Sequence, residues 1–373
     1  MKPKLVILTN LVAPYRVPVY RHLGERFSTV VAVGKAERNR VGWEHQEETL
    51  REAGVRVEVV SGRTFTVAEA KYLHVDPGYF TVLLREKPDA IISLEMGVRT
   101  LCALAYSSLM RTPVWIWWGG TPYSERTIGG AKKAIRRYVA RRNVRWISYG
   151  MESSQYLRSL NISDDRIVQI QNAVDERLFT CAEPGDRSAL PVLLVVGQLI
   201  ERKGLEPLLR SAQRVQARGD QFVLRLVGSG PRREALEEMV AEAGLRNVEF
   251  VGSVRPLDMP REYQAADVLV FPTLEDVWGL AVNEALLCGR PVVCSRYAGC
   301  ASELLDPENI FDPNDDSDFD RALARAARRE VSLPKEDRLW PIDRVGATIA
   351  DSISEVLDSR REKGKRRGAG SVV

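Results

Sequence analysis

Histidine is scarce in this chain: three residues in 373, His22, His45 and His74, all in the first quarter. None stands at ligand spacing from a cysteine or another histidine, and no Ser-His-Asp pattern can be assembled, so no metal site or His-based nucleophile is expected. The five cysteines, Cys102, Cys181, Cys288, Cys294 and Cys300, form no CxxC pair. A reduced, cytoplasmic protein is therefore expected, with Cys288, Cys294 and Cys300 as buried thiols on a helix, a strand and a loop. No apolar run approaches the ~18 residues of a membrane span. The opening MKPKLVILT is basic and then apolar like a secretion signal, but Asn10 and Pro14 interrupt it, and a first buried strand over Lys4–Thr9 is the better reading. A net charge of +4 is too small to single out nucleic acid as a partner, and none is expected.

What is present in quantity is alternation. Short apolar runs (LVILT, TVVAV, VRVEVV, AIISL, VWIWW, VRWIS, then VLLVVG, FVLRLVG, VEFVG, VLVF, PVVCS) are separated by helical patterns, the mark of parallel α/β sheets. The segment 180–190, rich in Pro, Gly and polar residues, divides them into domains over 1–179 and 191–344. A last amphipathic helix is predicted over 345–360, and a basic, Gly-containing, disordered tail over 361–373.

One block carries more chemistry than the rest: AADVLVFPTLEDVWGLAVNEALLCG, from Ala266 onward. A strand ends at Pro272, a loop holds Asp276, and after Gly279 a helix holds Glu284, eight residues beyond Asp276. A helix start attracts phosphate, whereas ionised carboxylates only accept hydrogen bonds and so face hydroxyls. Phosphate between two sets of hydroxyls describes a sugar nucleotide. Upstream, Gly197-Gln198-Leu199-Ile200-Glu201-Arg202-Lys203-Gly204 follows a strand and places two adjacent cations where a diphosphate would need them.

These motifs, with Leu226-Val227-Gly228-Ser229-Gly230-Pro231 and Asn172-Ala173-Val174-Asp175, resemble the retaining glycosyltransferases of the GT-B fold, family 4, whose signature is Glu, seven residues, Glu. The resemblance implies two Rossmann-like doubly wound domains facing a central cleft, with the C-terminal helix crossing back to the first. It implies Glu284 on the ribose hydroxyls, with Val254 beside the base, and Asp276 on the donor sugar. The diphosphate would meet Arg202, Lys203 and the backbone near Trp278, Gly279 and Leu280. The chain departs from the family twice. Asp276 replaces the first Glu, with Glu275 as a possible stand-in, and Gln198 replaces an Arg for which Arg202 is the available substitute.

In the first domain Asn10, Tyr15 and Arg16, in the loop after the first strand, are cleft candidates; a subset of the family shares the Pro-Tyr-Arg. Glu95 and Arg99 occupy the same position after AIISL. Trp118 and Gly119 end the tryptophan-rich strand, where Trp118 is a candidate for stacking on sugar. Thr127 to Trp146 holds seven basic residues and no acid. On a helix, Lys132, Lys133, Arg136, Arg137 and Arg141 share one face, and Ala131, Ala134, Ile135 and Tyr138 the other. Such a helix can lie on an anionic membrane, pack on the sheet, or do both. Asp316-Ser317-Asp318 reads as a helix cap, and no metal or other cofactor is expected beyond the nucleotide-sugar co-substrate.

The implied activity is transfer of a sugar from a UDP- or GDP-linked donor to a hydroxyl of a glycan or lipid-linked acceptor, with retention of configuration, in cell-envelope or exopolysaccharide synthesis. The alternatives are a nucleotide-sugar epimerase, against which the paucity of histidine argues, and a non-catalytic relative that binds nucleotide sugar or membrane.

Overall fold

The computed structural model describes residues 2–34, 46–60, 63–68, 71–75, 78–179 and 189–369, with the backbone alone for 63–68, 71–75 and 364–369. Most of the segment expected as a linker, 180–188, lies outside the described residues, as do Cys181, His45 and the last four positions.

Two parallel sheets organise the chain. The first contains β1 (Lys4–Thr9), β2 (Ser28–Val33) and β3 (Arg56–Val59). A separate antiparallel pair follows, β4 (Arg63–Ala68) and β5 (Lys71–Val75), and then the sheet resumes with β6 (Ala90–Leu94), β7 (Val114–Trp118), β8 (Arg145–Tyr149) and β9 (Ile167–Ile170). Its order is β3-β2-β1-β6-β7-β8-β9. The second sheet, β10 (Val192–Val196), β11 (Val223–Val227), β12 (Val248–Gly252), β13 (Val268–Phe271), β14 (Val292–Ser295) and β15 (Ile310–Phe311), has the order β12-β11-β10-β13-β14-β15. Helices cover both faces of central strands such as β1 and β6, which explains why these strands read as unbroken apolar runs.

In each sheet the strand order reverses once, between β1 and β6 and between β10 and β13. At such a reversal the loops leave the strand ends in opposite directions and open a crevice, where ligands of doubly wound sheets bind. The loops after β1, β6, β10 and β13 therefore border the two crevices.

The last helix runs Ile342–Ala369, three residues ahead of the expected start. Its backbone stays helical to 369, where a disordered tail was expected from 361, because the Arg/Lys/Glu-rich stretch is itself made of good helix formers. It crosses to the first domain and packs on the helix Val17–Arg26, burying Ile349, Ala350 and Ile353 in the first domain's core. Trp115 Nε1 donates to Ser352 Oγ at 3.1 Å, and Arg26 pairs with Asp351.

Candidate functional site

The loop after β10 forms a 3-10 turn, Glu201–Lys203, and is fastened to the loop after β13. The Arg202 carbonyl accepts from Thr273 Oγ1 (3.0 Å), the Leu274 amide (2.8 Å) and the Glu275 amide (3.3 Å). Gly204 is left-handed at φ +69°, and a Cβ there would collide with the Pro272 carbonyl oxygen. Only glycine allows the two backbones to approach this closely. The consequence is a fixed charge cluster: Lys203 Nζ lies 2.5 Å from Asp276 Oδ2, and Arg202 is 3.9 Å from the same oxygen. Burial alone would raise the Asp276 carboxyl, but Lys203 and Arg202 outweigh it and hold the group below the usual aspartate range. Asp276 also accepts from the Trp278 amide at 3.3 Å. Gln198 is exposed at the mouth of a small pocket lined also by Gly197, Lys203 and Thr273.

Glu284 sits on the helix Leu280–Leu287, which begins after Gly279 at φ +109°. Tyr263, from the helix Met259–Gln264, donates its hydroxyl to Glu284 Oε2 at 2.5 Å. Burial pushes the Glu284 carboxyl up to about 7, against the downward pull of that hydrogen bond. The two acids of the signature thus have opposite environments. Asp276 is ionised and paired; Glu284 has a neutral partner and titrates near neutrality. Val254 is half-buried against the same core that holds Met259 and Tyr263.

The first domain closes on this loop. Trp278 is buried, its Nε1 donating to Asn283 Oδ1 at 2.8 Å, and its ring fills the space beside Gly150 of the first domain. Glu275 pairs with Arg126 at 3.1 Å across the boundary, so it faces the first domain and not the Lys203 cluster. Tyr123 stacks on Tyr297 at 4.2 Å. Glu303 accepts from Gln171 Nε2 and the Met151 amide, both at 2.9 Å. A Cβ on Gly119 would lie 2.7 Å from the Tyr149 ring and 3.7 Å from the Val277 side chain, which places the end of β7 against the residue after Asp276.

Of the first-domain candidates, Tyr15 and Arg16 lie among aromatic rings at the sheet's C-terminal edge. Arg16 Nη2 donates to the Tyr149 hydroxyl at 3.0 Å, and its Cζ is 5.6 Å from the Tyr15 and Trp117 ring centroids. Asn10 is half-buried just before them. Glu95 is 65% exposed at φ +65°, a conformation uncommon for a non-glycine residue, and it pairs with the buried Arg99, which also bonds the Leu94 carbonyl. Trp118 does not line the cleft. It is 4% exposed, stacked on Tyr156 and covered by Arg136, because the strand's alternation turns it to the sheet face opposite Trp117.

The basic helix is Gly130–Ala140, and its faces differ from those expected. Val139 and Ala140 pack inward, while Ala131, Ala134 and Tyr138 are exposed. Arg136 is not on the solvent face: it bonds Glu125 (3.0 Å) and the Met96 carbonyl (2.7 Å). Lys132, Lys133, Arg137 and Arg141 remain exposed, joined by Arg142 over the Tyr138 ring at 4.2 Å. Asp315 caps the helix Asp316–Ala327 through the Ser317 and Asp318 amides, and Asp316 and Asp318 pair with Arg214 and Arg321. Among the described residues no group of three or more His, Cys, Asp or Glu is placed to hold a metal, and no helix is long and apolar enough to cross a membrane.

Tyr263, Arg126, Tyr149 and Tyr297 were not singled out from the sequence. Each lies far along the chain from the group it contacts, and a lone tyrosine or arginine carries no local signal.

Residues 190–329 match the model of the glycosyl transferases group 1 family. A GDP-mannose-dependent alpha-(1-6)-phosphatidylinositol monomannoside mannosyltransferase of Mycolicibacterium smegmatis is 30% identical over 192 residues, 48% of this chain and 50% of that protein. A 2-deoxystreptamine glucosyltransferase of Streptomyces kanamyceticus is 28% identical over 187 residues, 48% of this chain and 47% of that protein. The chain spans about half the length of the curated relatives it matches. The crystal structure of Anabaena Alr3699/HepE in complex with UDP and glucose superposes with a TM-score of 0.71 at 16% identity, covering 98% of this chain and 100% of that one. The two-sheet architecture is thus the GT-B fold, and residues 190–329 are similar to the glycosyl transferases group 1 family.

Proposed function

We propose that this chain transfers a hexose from a UDP- or GDP-linked donor to a hydroxyl of a glycan or lipid-linked acceptor, with retention of configuration, in cell-envelope or exopolysaccharide synthesis. The observation that carries the reading is the cluster of Asp276, Lys203 and Arg202 at the sheet's switch point, with Glu284 eight residues on. Lys203 and Arg202 supply positive charge for a departing diphosphate, aided by the backbone at Gly279 and Leu280. Asp276, already bound to a cation, suits acceptance of hydrogen bonds from sugar hydroxyls better than nucleophilic attack. Glu284, once ionised, accepts from the ribose hydroxyls in place of Tyr263. In the step itself the bond from the anomeric carbon to the diphosphate oxygen breaks, its electron pair leaving with the diphosphate. The acceptor oxygen bonds to the same face, and its proton passes to a leaving phosphate oxygen.

One relative is named for a phosphatidylinositol monomannoside acceptor, a lipid, and an acceptor of that kind would be met at a membrane surface. The exposed Lys132, Lys133, Arg137, Arg141 and Arg142, with Tyr138, form the face that would rest on anionic headgroups.

Thermal unfolding with UDP, GDP, ADP and dTDP tests the donor site. A nucleotide at ~100 times its Kd adds ~2.7 kcal/mol, and that gain should be lost in Lys203→Ala. Stabilisation by none of the four would overturn the reading. Nucleotide binding with no release of nucleotide from any matching sugar donor would favour the non-catalytic alternative.

A further inference from the structure

Arg16 is a permanent cation with no carboxylate partner among the described residues, surrounded by Tyr15, Tyr20, Trp117 and Tyr149. One neutral hydroxyl, that of Tyr149, accepts from its Nη2. Its Nε is buried without a hydrogen-bond partner, and so is Trp117 Nε1, whose ring is 6.4 Å from that of Tyr20; the Tyr20 hydroxyl lies near Arg16 and Thr9. Both of these nitrogens can only donate. Folding normally pairs a desolvated charge and satisfies buried donors, because leaving either unmet is costly. Cation–π contact offsets part of that cost but supplies no acceptor atom. What this spot lacks is a group with several acceptor oxygens and a negative charge.

The position favours a ligand over a structural role. Arg16 is partly exposed and stands at the C-terminal edge of β1. Tyr149, which holds it, packs on Gly119, and Gly119 on Val277 beside Asp276. The donor's diphosphate already has two cations on the opposite domain, Arg202 and Lys203. We propose that Arg16 and its aromatic surround bind an anionic group of the acceptor, a phosphoryl or carboxylate, and so restrict the acceptor to molecules carrying one near the reacting hydroxyl. The inference rests on the donor assignment above for which side of the cleft the acceptor enters.

The test is titration of glycerol 3-phosphate, with glycerol as the uncharged control at matched ionic strength, followed calorimetrically. It is run on the free protein and on protein saturated with the nucleotide that stabilises it. Wild type should bind glycerol 3-phosphate saturably in both states and glycerol in neither. Arg16→Gln should weaken binding about tenfold to a hundredfold, the range for losing charge-assisted hydrogen bonds. Arg16→Lys, which keeps the charge without the fork, should fall between. Circular dichroism and the melting temperature of Arg16→Gln and Arg16→Lys guard against a folding defect. Absence of saturable binding in wild type, or equal binding by folded Arg16→Gln, would overturn the proposal. So would an equal loss of nucleotide affinity in Arg16→Gln, or competition between nucleotide and glycerol 3-phosphate, since either would make Arg16 a donor contact. Failure of nucleotide binding in wild type and Lys203→Ala alike would instead count against the donor site, leaving the free-protein titration to decide Arg16.

Discussion

Glu284→Gln separates what the folded chain pays for its buried acid from what a nucleotide gains from it. The Glu284 carboxyl is raised by burial from an ordinary 4.5 to about 7. For an acid raised on folding, the folded chain holds the extra proton between these two values, and stability falls as pH rises through that window. The contribution is complete below the ordinary glutamate range and lost once pH has passed about 7. The difference corresponds to ~3 kcal/mol in all, of which roughly 2 to 3 kcal/mol is lost between pH 5 and 8. Glutamine keeps an acceptor for the Tyr263 hydroxyl but has no charge to desolvate. The variant should therefore melt above wild type at pH 8, with the gap closing by pH 5. Ligand binding should show the opposite ordering. Ionised Glu284 is the form that accepts ribose hydroxyls, so wild-type affinity for the preferred nucleoside diphosphate should rise about tenfold from pH 6 to 8 relative to the variant. The ratio cancels the nucleotide's own titration. A constant gap in melting temperature across pH would refute the burial argument, and a flat affinity ratio would refute the ribose assignment.

Gly204→Ala should destabilise the second domain by at least about 2 kcal/mol, since alanine must adopt a left-handed φ and displace the Pro272 carbonyl. Denaturant unfolding measures the loss, and the variant's nucleotide affinity should fall with it because Lys203 and Asp276 move apart. Sedimentation with phosphatidylglycerol vesicles should retain wild type at low salt and release it at high salt. Lys132→Glu with Arg137→Glu should abolish retention, whereas Arg136→Gln should instead lower thermal stability by breaking the Glu125 and Met96 contacts.

The sheets were legible because each central strand is buried on both faces and so reads as an apolar run. β9, with its Ile-Val-Gln-Ile, and the two-residue β15 were not, being too short or too mixed to stand out. The faces of the Gly130–Ala140 helix were misjudged for a related reason. Sequence periodicity groups residues by angle but does not say which group meets the sheet, and a long Arg136 side chain can turn inward when Glu125 and the Trp118 ring await it. Trp118 itself was read from its place at a strand end, although alternation alone put it opposite Trp117.

At the candidate site, chain-local information sufficed to single out Lys203, Asp276 and Glu284, because strand ends and a helix start fix where they sit. It could not separate Asp276 from Glu275, which are neighbours with the same chemistry. The separation comes from the other domain: Arg126 draws Glu275 across the boundary while the Gly204 contact brings Lys203 to Asp276. The shorter acid is then the one held in the cation cluster, at a distance an aspartate spans. Loss of Arg126 would remove only an exposed pair, worth ~1 kcal/mol or less, but it would free Glu275 to compete for the same lysine. The departure from the family's glutamate is therefore intelligible as a choice made jointly by two domains, which no reading of either acid in isolation could supply.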